Sequence, residues 1–231
     1  MVENIAENLT KIYSKIAAAQ ERSPYAADKV QLLAVSKTYP MEQIEAAASA
    51  GQTVFGENRV QELIDKYTIR PDLEWHLIGH LQTNKVKYIV GKVHLIHSLD
   101  NLELAHEIEK RSAALGVNTH ALIQVNIARE ETKSGIFEEE LEDFLDSLYD
   151  FPHLRIDGLM TIGPHVEDRE EIRRAFTRLR QLRDEQREIP RPTCRLSLLS
   201  MGMSGDYEIA VEEGANIVRV GTAIFGPRSY F

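Results

Sequence analysis

Leu32-Leu33-Ala34-Val35-Ser36-Lys37-Thr38 is the segment on which the reading of this chain turns. It is a short apolar run that ends in a lysine. A run of this length fits a strand covered on both faces, as the inner strands of parallel sheets are. Lysine is strongly hydrated and is seldom buried without a reason. At the carboxyl end of an inner strand it sits where α/β folds place their chemistry. Taken alone, Lys37 reads more simply as the first solvated residue of a loop, and it is the far end of the chain that shifts the balance.

Working outward from that strand, which spans 30–37, the same rhythm recurs. Upstream, Ile5, Leu9, Ile12 and Ile16 fall at helical spacing and predict a helix over 2–21, ended by Ser23-Pro24. Downstream, Pro40 sits near a helix start, and the alanine-rich stretch 41–50 ends at Gly51. Further strands are predicted at 53–55, 74–78, 93–97, 121–126, 155–160, 196–199 and 217–220. Between them lie helical patterns ending near 67 and spanning 83–90, 101–115, 138–149, about 168–187 and 205–213, with a polar loop at 128–135. Residues 222–225 leave room for one last turn. Strict alternation of this kind implies a parallel sheet, and eight repeats close to the roughly 250 residues typical of the fold imply a (β/α)8 TIM barrel. No low-complexity linker interrupts it, so 1–231 reads as a single α/β domain with an extra N-terminal helix. An open doubly wound sheet would ordinarily carry G-x-G-x-x-G after its first strand, where this chain has Lys37-Thr38-Tyr39-Pro40.

Composition narrows the function classes. Hydrophobic residues make up 43% and charged residues 27%, an ordinary globular balance. A net charge of −9 offers no basic field for nucleic acid or an anionic membrane. No stretch approaches the roughly 20 apolar residues that span a bilayer. The N-terminus lacks the basic and apolar regions of a signal peptide. The single cysteine, Cys194, excludes an internal disulfide and fits a cytoplasmic protein. It follows Pro190-Arg191-Pro192-Thr193 and reads as structural.

In a barrel the loops after the strands form the active face, and those after strands seven and eight often bind phosphate. Here they read Ser200-Met201-Gly202-Met203-Ser204 and Arg219-Val220-Gly221-Thr222. Glycine lets backbone approach an anion closely, and hydroxyls and helix N-termini supply donors. Each Gly or Ser alone reads as a tight turn. Clustered on adjacent loops opposite a lysine, they point to a phosphate cradle.

Longer motifs then come into register. They are Ala34-Val35-Ser36-Lys37-Thr38, Phe55-Gly56-Glu57-Asn58-Arg59-Val60-Gln61-Glu62, Trp75-His76-Leu77-Ile78-Gly79-His80-Leu81-Gln82-Thr83-Asn84-Lys85, Gly158-Leu159-Met160-Thr161, Leu199-Ser200-Met201-Gly202-Met203-Ser204 and Val218-Arg219-Val220-Gly221-Thr222-Ala223-Ile224-Phe225-Gly226. Nearly the whole chain resembles the pyridoxal phosphate homeostasis family. The resemblance implies a barrel like the N-terminal domain of alanine racemase, with pyridoxal 5′-phosphate held as a Schiff base on Lys37. It further implies Arg219 against the pyridine nitrogen, Asn58 near the ring, and Ser200, Gly221 and Thr222 on the phosphate, with Met201 also among the cofactor-binding residues. It carries with it a role in intracellular vitamin B6 homeostasis, with pyridoxal-phosphate-dependent apoenzymes as partners.

General chemistry agrees with those roles. Only a neutral amine forms a Schiff base, and desolvation or a neighbouring cation lowers an amine's pKa. An arginine cannot take a proton from the ring nitrogen, so Arg219 implies a weakly activated cofactor, whereas an aspartate would strengthen the electron sink. Without the resemblance Arg219 reads as a strand-end salt bridge. Two alternatives are a racemase-type enzyme and a cofactor-free Schiff-base aldolase. Racemisation needs an acid/base on each face of the substrate carbon. In the racemases the second is a tyrosine from a separate β-domain, which a chain ending at Phe231 does not supply; that also favours a monomer. An aldolase would share the lysine and the cradle but leaves Arg219 unexplained.

Other polar clusters carry less. His76 and His80 stand at i, i+4 but lack the glutamate of H-E-x-x-H, so no metal is expected there. His94 and His97 read as packed or surface histidines. Glu138-Glu139-Glu140 with Glu142-Asp143, and the arginines 169, 173, 174, 178 and 180, read as solvated helix faces.

Overall fold

The first strand, β1 (Gln31–Val35), pairs in parallel with β2 (Val54–Glu57) on one side and with β8 (Ile217–Val220) on the other. Every strand between continues the same pattern, so the sheet closes as β1-β2-β3-β4-β5-β6-β7-β8. The computed structural model describes residues 4–25, 27–130 and 134–227, and among these the predicted eight-stranded TIM barrel is present. The remaining strands are β3 (Glu74–Leu77), β4 (Leu95–Leu99), β5 (Thr119–Gln124), β6 (Leu154–Met160) and β7 (Cys194–Ser200).

The helices between them follow the predicted order. They are α2 (Met41–Ser49), α3 (Val60–Ile69), α4 (Val86–Ile89), α5 (Leu102–Leu115), α6 (Leu141–Asp146), α7 (Arg169–Arg187), α8 (Tyr207–Glu212) and the final turn α9 (Thr222–Phe225). Helix α5 shows why such boundaries are legible. The Asn101 side chain accepts from the Leu104 N–H at its start, and Gly116 takes the left-handed conformation at its end (φ 65°). Two of the long predicted helices are shorter. The 83–90 and 138–149 segments each open as a 3-10 turn before a short α-helix. Residues 2–3 of the first predicted helix and 131–133 of the polar loop lie outside the described residues.

Two strand boundaries differ from expectation, and the second difference reaches the site. Strand β4 runs from Leu95 to Leu99 rather than over 93–97, and β7 extends to Ser200 rather than ending at 199. Because strand side chains alternate between faces, the extension of β7 makes Ser200 an inward-facing strand residue, and His97 of β4 faces inward with Leu95.

Inside the barrel, Leu33, Val35, Val54, Leu95, Leu122, Met160 and Ile217 pack together. The alternate residues, such as Leu32, Ala34, Phe55, Trp75 and Val218, face the helices in a larger outer core. Gly56 lets the Leu33 side chain pack directly on the β2 backbone, since a Cβ there would displace Leu33 Cδ2. The N-terminal helix α1 (Ile5–Arg22) buries Ile5, Leu9, Ile12 and Ile16 and packs against α8 and α9. The Asn8 amide donates to the Ile224 carbonyl at 2.9 Å. The arginine face of α7 is only partly solvated. Arg173 bonds Glu212 and Glu213 at 2.6 and 2.7 Å, and Arg180 lies 3.6 Å over the Tyr25 ring. Among the described residues no helix is long and apolar enough to cross a membrane.

Candidate functional site

At the carboxyl end of the barrel lies a cavity of ≈ 320 Å³. Val35 and Lys37 reach it from β1, Asn58 from the loop after β2, and Met160 from the end of β6. Met203, Ser204 and Gly205 enter after β7, Arg219 from β8, and Gly221 and Thr222 from the turn that follows.

Lys37 is presented by a turn that is clamped from below. Strand β1 stops at Val35, and Thr38 adopts a left-handed backbone (φ 70°), uncommon for a β-branched residue. Its N–H donates to Glu62 Oε1 at 2.7 Å. The Ser36 hydroxyl donates to Glu57 Oε1 at 2.6 Å. Lys66, from α3, closes the cluster: its ammonium donates to the Ser36 carbonyl (2.8 Å), Glu57 Oε1 (2.7 Å) and Glu62 Oε1 (2.7 Å). Glu57 and Lys66 are both buried. Burial pushes the Glu57 carboxyl up, against the opposing pull of Lys66 and Ser36. Among the described residues Glu57 Oε2 has no hydrogen-bond partner.

Arg219 stands on the inward face of β8, in register with Leu33 of β1, and is buried. Its guanidinium donates to Ser200 Oγ at 2.7 Å and to the Thr161 carbonyl at 2.8 Å. Burial lowers its pKa to about 10, with Asp206 acting the other way, so it remains a cation at neutral pH.

Behind Arg219 a line of hydrogen bonds crosses the barrel. Ser200 Oγ lies 2.9 Å from His97 Nδ1, His97 Nε2 lies 2.9 Å from His76 Nδ1, and His76 Nε2 lies 2.9 Å from Glu74 Oε1. Burial depresses the pKa of both histidines, that of His97 strongly, so both are neutral. The ends set the direction. Arg219 can only donate and the Glu74 carboxylate can only accept, so Ser200 donates to His97, His97 to His76, and His76 to Glu74.

The third component is a cluster of donors. Ser204 Oγ receives long bonds from the N–H groups of Gly221 (3.3 Å) and Ala223 (3.5 Å). Gly221 is held close to β1: a Cβ would stand 3.1 Å from the Val35 carbonyl oxygen and 3.3 Å from Val35 Cβ. Two amides and a hydroxyl thus converge at the pocket edge, with Thr222 exposed beside them. Asp206 sits behind this loop, accepting from the Met203 N–H, with its carboxyl pushed up by burial.

Of the residues singled out by sequence, the fold brings Lys37, Asn58, Arg219, Gly221 and Thr222 to one pocket. It does not bring Ser200 or Met201. Ser200 closes β7 and is fully buried beneath Arg219, and Met201 packs in the outer core. Four and two residues further on, Ser204 and Met203 line the pocket instead. The signal for them is the pattern Gly202-Met203-Ser204-Gly205, in which glycines flank the loop and Gly202 is left-handed (φ 92°). His80 borders a separate recess with Asn58 and Arg59 and is not paired with His76.

A parallel barrel carrying a lysine at the end of β1, an arginine on β8 and a donor cluster between defines the alanine racemase N-terminal domain class. The family model described as "Alanine racemase, N-terminal domain" matches residues 8–229. Within that class the chain belongs to the pyridoxal phosphate homeostasis protein family. The Aquifex aeolicus protein of that name is 48% identical over 230 residues, covering 98% of this chain and 100% of the relative. Among solved structures, an unknown protein from Bifidobacterium adolescentis superposes with a TM-score of 0.92 at 37% identity, covering 97% of this chain and 95% of that one. PipY of Synechococcus elongatus PCC7942, solved with PLP bound, superposes with a TM-score of 0.83 at 37% identity, covering 96% of this chain and 100% of that one.

Proposed function

We propose that this chain binds pyridoxal 5′-phosphate in the pocket between Lys37, Arg219 and the Ser204–Gly221 donor cluster, and that it serves cofactor homeostasis rather than turnover. The observation that carries this reading is the shared lining of one pocket by an amine, a buried guanidinium and convergent amide donors. These residues fit the group chemically. An aldehyde needs an amine, a phosphate needs N–H and hydroxyl donors, and a ring nitrogen that is to stay unprotonated needs a neighbour that cannot give it an acceptor.

Bound there, the cofactor supplies an aldehyde carbon and an electron-accepting ring. The chain does the rest. Lys37 holds the aldehyde end, from a turn fixed by Ser36, Glu57 and Lys66. Gly221, Thr222 and Ser204 hold the phosphate. Asn58 borders the ring. Arg219 keeps positive charge against the ring nitrogen, and the line through Ser200, His97 and His76 to Glu74 holds the guanidinium in place. Among the described residues lining the pocket, the ionisable side chains are Lys37 and Arg219. Two-sided proton transfer at a substrate carbon needs a second acid/base, and a guanidinium is a poor one. The reading therefore includes negligible racemase turnover. It also includes a cytoplasmic monomer that exchanges its cofactor with pyridoxal-phosphate-dependent apoenzymes.

Absorption spectroscopy tests it. The full chain loaded with pyridoxal 5′-phosphate and desalted shows a visible band that a carbonyl-trapping reagent bleaches, and Lys37→Ala lacks that band. A colourless protein that takes up no cofactor, or a Lys37→Ala variant with the wild-type spectrum, overturns the assignment. Sustained conversion of an L-amino acid to its D form would favour the racemase reading.

A further inference from the structure

The polar line that begins at Arg219 ends on the opposite face of the barrel, at three groups that do not line the cofactor pocket. Glu74 is the first residue of β3, and His76 follows it on the same inward face. His94 precedes β4, and its backbone N–H donates to the Trp75 carbonyl at 2.8 Å, which fixes it beside β3. The imidazoles of His76 and His94 stack with centroids 5.4 Å apart and planes 13° apart. His76 Nε2 and His94 Nε2 lie 2.9 and 3.7 Å from the same oxygen, Glu74 Oε1, and all three ligand atoms fall within 4.8 Å of one another.

We propose that Glu74, His76 and His94 form a divalent transition-metal site of the zinc class on the barrel floor, coupled through His97 and Ser200 to Arg219. Two imidazoles and one carboxylate are a common zinc ligand set, and bond lengths of about 2.0–2.1 Å place tetrahedral ligands about 3.3–3.4 Å apart. The two distances from Glu74 Oε1, 2.9 and 3.7 Å, straddle that value, and the three groups must close from a spread of up to 4.8 Å to bind the ion. A surface recess of ≈ 330 Å³ bordered by Glu74 and His94 leaves room for water as the remaining ligand. The partner that orients a metal-bound histidine through its other nitrogen is also present: His97 on His76 Nδ1. Lys92 borders the same recess, so the affinity falls below that of a closed four-ligand site.

Metal on His76 Nε2 requires that nitrogen to be bare. The ring proton then resides on Nδ1 and is donated to His97 Nε2, and His97 Nδ1–H is donated to Ser200. The line runs in the opposite sense, and Ser200 accepts from both His97 and Arg219. No net proton is gained or lost along it. The floor site and the guanidinium at the cofactor pocket are thereby linked, and linkage of this kind is reciprocal.

Zinc titration of the cofactor-loaded full chain, in competition with a chromophoric chelator, tests the site. One equivalent binds the wild type at least tenfold more tightly than it binds His94→Ala or Glu74→Gln, and His80→Ala behaves as wild type. His94 has 65% of its side chain exposed, so its removal leaves folding intact. Equal zinc binding by wild type and His94→Ala overturns the site. Nitrogen-15 NMR of the histidines tests the coupling: zinc moves the His97 ring proton from Nε2 to Nδ1, and an unchanged His97 with zinc bound overturns the linkage to Arg219.

Discussion

Substituting Lys66 with methionine isolates the cluster that presents Lys37. The change removes three ammonium hydrogen bonds while nearly preserving side-chain length. The bond to Glu62 weighs least, because Glu62 is partly exposed and exposed pairs are worth about 0–1 kcal/mol. The bond to Glu57 weighs most. Its carboxylate is fully buried, one oxygen already lacks a partner among the described residues, and only the Ser36 hydroxyl would remain on the other. Removing one member of a buried pair in this way costs about 3–5 kcal/mol. The pH dependence gives a second signature. Burial already raises the Glu57 carboxyl, and loss of Lys66 raises it further. A carboxyl whose folded pKa is raised contributes its full stability below the unfolded value and loses it as pH rises through the folded one. The penalty in Lys66→Met is therefore larger at about pH 8 than at about pH 5.5, because the charged form is what burial disfavours. Urea unfolding at the two pH values measures it. Adding Glu57→Gln removes the stranded charge and recovers more than half of the loss, leaving about 1–2 kcal/mol for unmade hydrogen bonds. A Lys66→Met protein within about 1 kcal/mol of wild type at the higher pH, or a penalty that grows as pH falls, refutes the reasoning.

Other perturbations address the pocket itself. Thr222→Ala weakens cofactor retention by about tenfold, the value of one hydrogen bond to a charged group, as read by equilibrium dialysis. Arg219→Ala weakens retention more and also destabilises the fold, because the Thr161 carbonyl and Ser200 lose a buried donor; retention unchanged in both variants refutes the placement of ring and phosphate. Asp206→Asn raises the urea midpoint at neutral pH, since the raised pKa of Asp206 marks a charge disfavoured by burial and the Met203 N–H keeps an acceptor. That gain vanishes toward about pH 4, where the wild-type carboxyl is itself protonated.

The barrel was legible because its signals are local and repeated. Apolar runs recur eight times, side-chain caps at Asn101 and Asp168 and left-handed glycines at Gly51, Gly116 and Gly214 punctuate them, and an error of two residues at one boundary leaves the topology unchanged. The site was less forgiving. Ending β7 one residue early put Ser200 in a loop, whereas in the structure it is an inward-facing strand residue beneath Arg219. His97 lies inside the predicted strand, but which face of β4 points inward is set by the pairing with its neighbours, and His97 shares the inner face with Leu95. Lys37, Asn58 and Gly221 escaped this because they lie past the strand ends, where facing does not depend on register. The pairing of Lys66 with Glu57 and the juxtaposition of His94 with His76 depend on tertiary contacts between elements, and spacing along the chain does not encode them.

The docking of α1 has a bearing on how the protein is made. Its apolar stripe of Ile5, Leu9, Ile12 and Ile16 rests on α8 and α9, and Asn8 is tied to Ile224, 216 positions downstream. A ribosome delivers the first helix long before its seat exists. Until the last turn emerges α2 is the one early element that meets this helix, and the newborn chain must carry the rest of the stripe exposed or shielded by a chaperone.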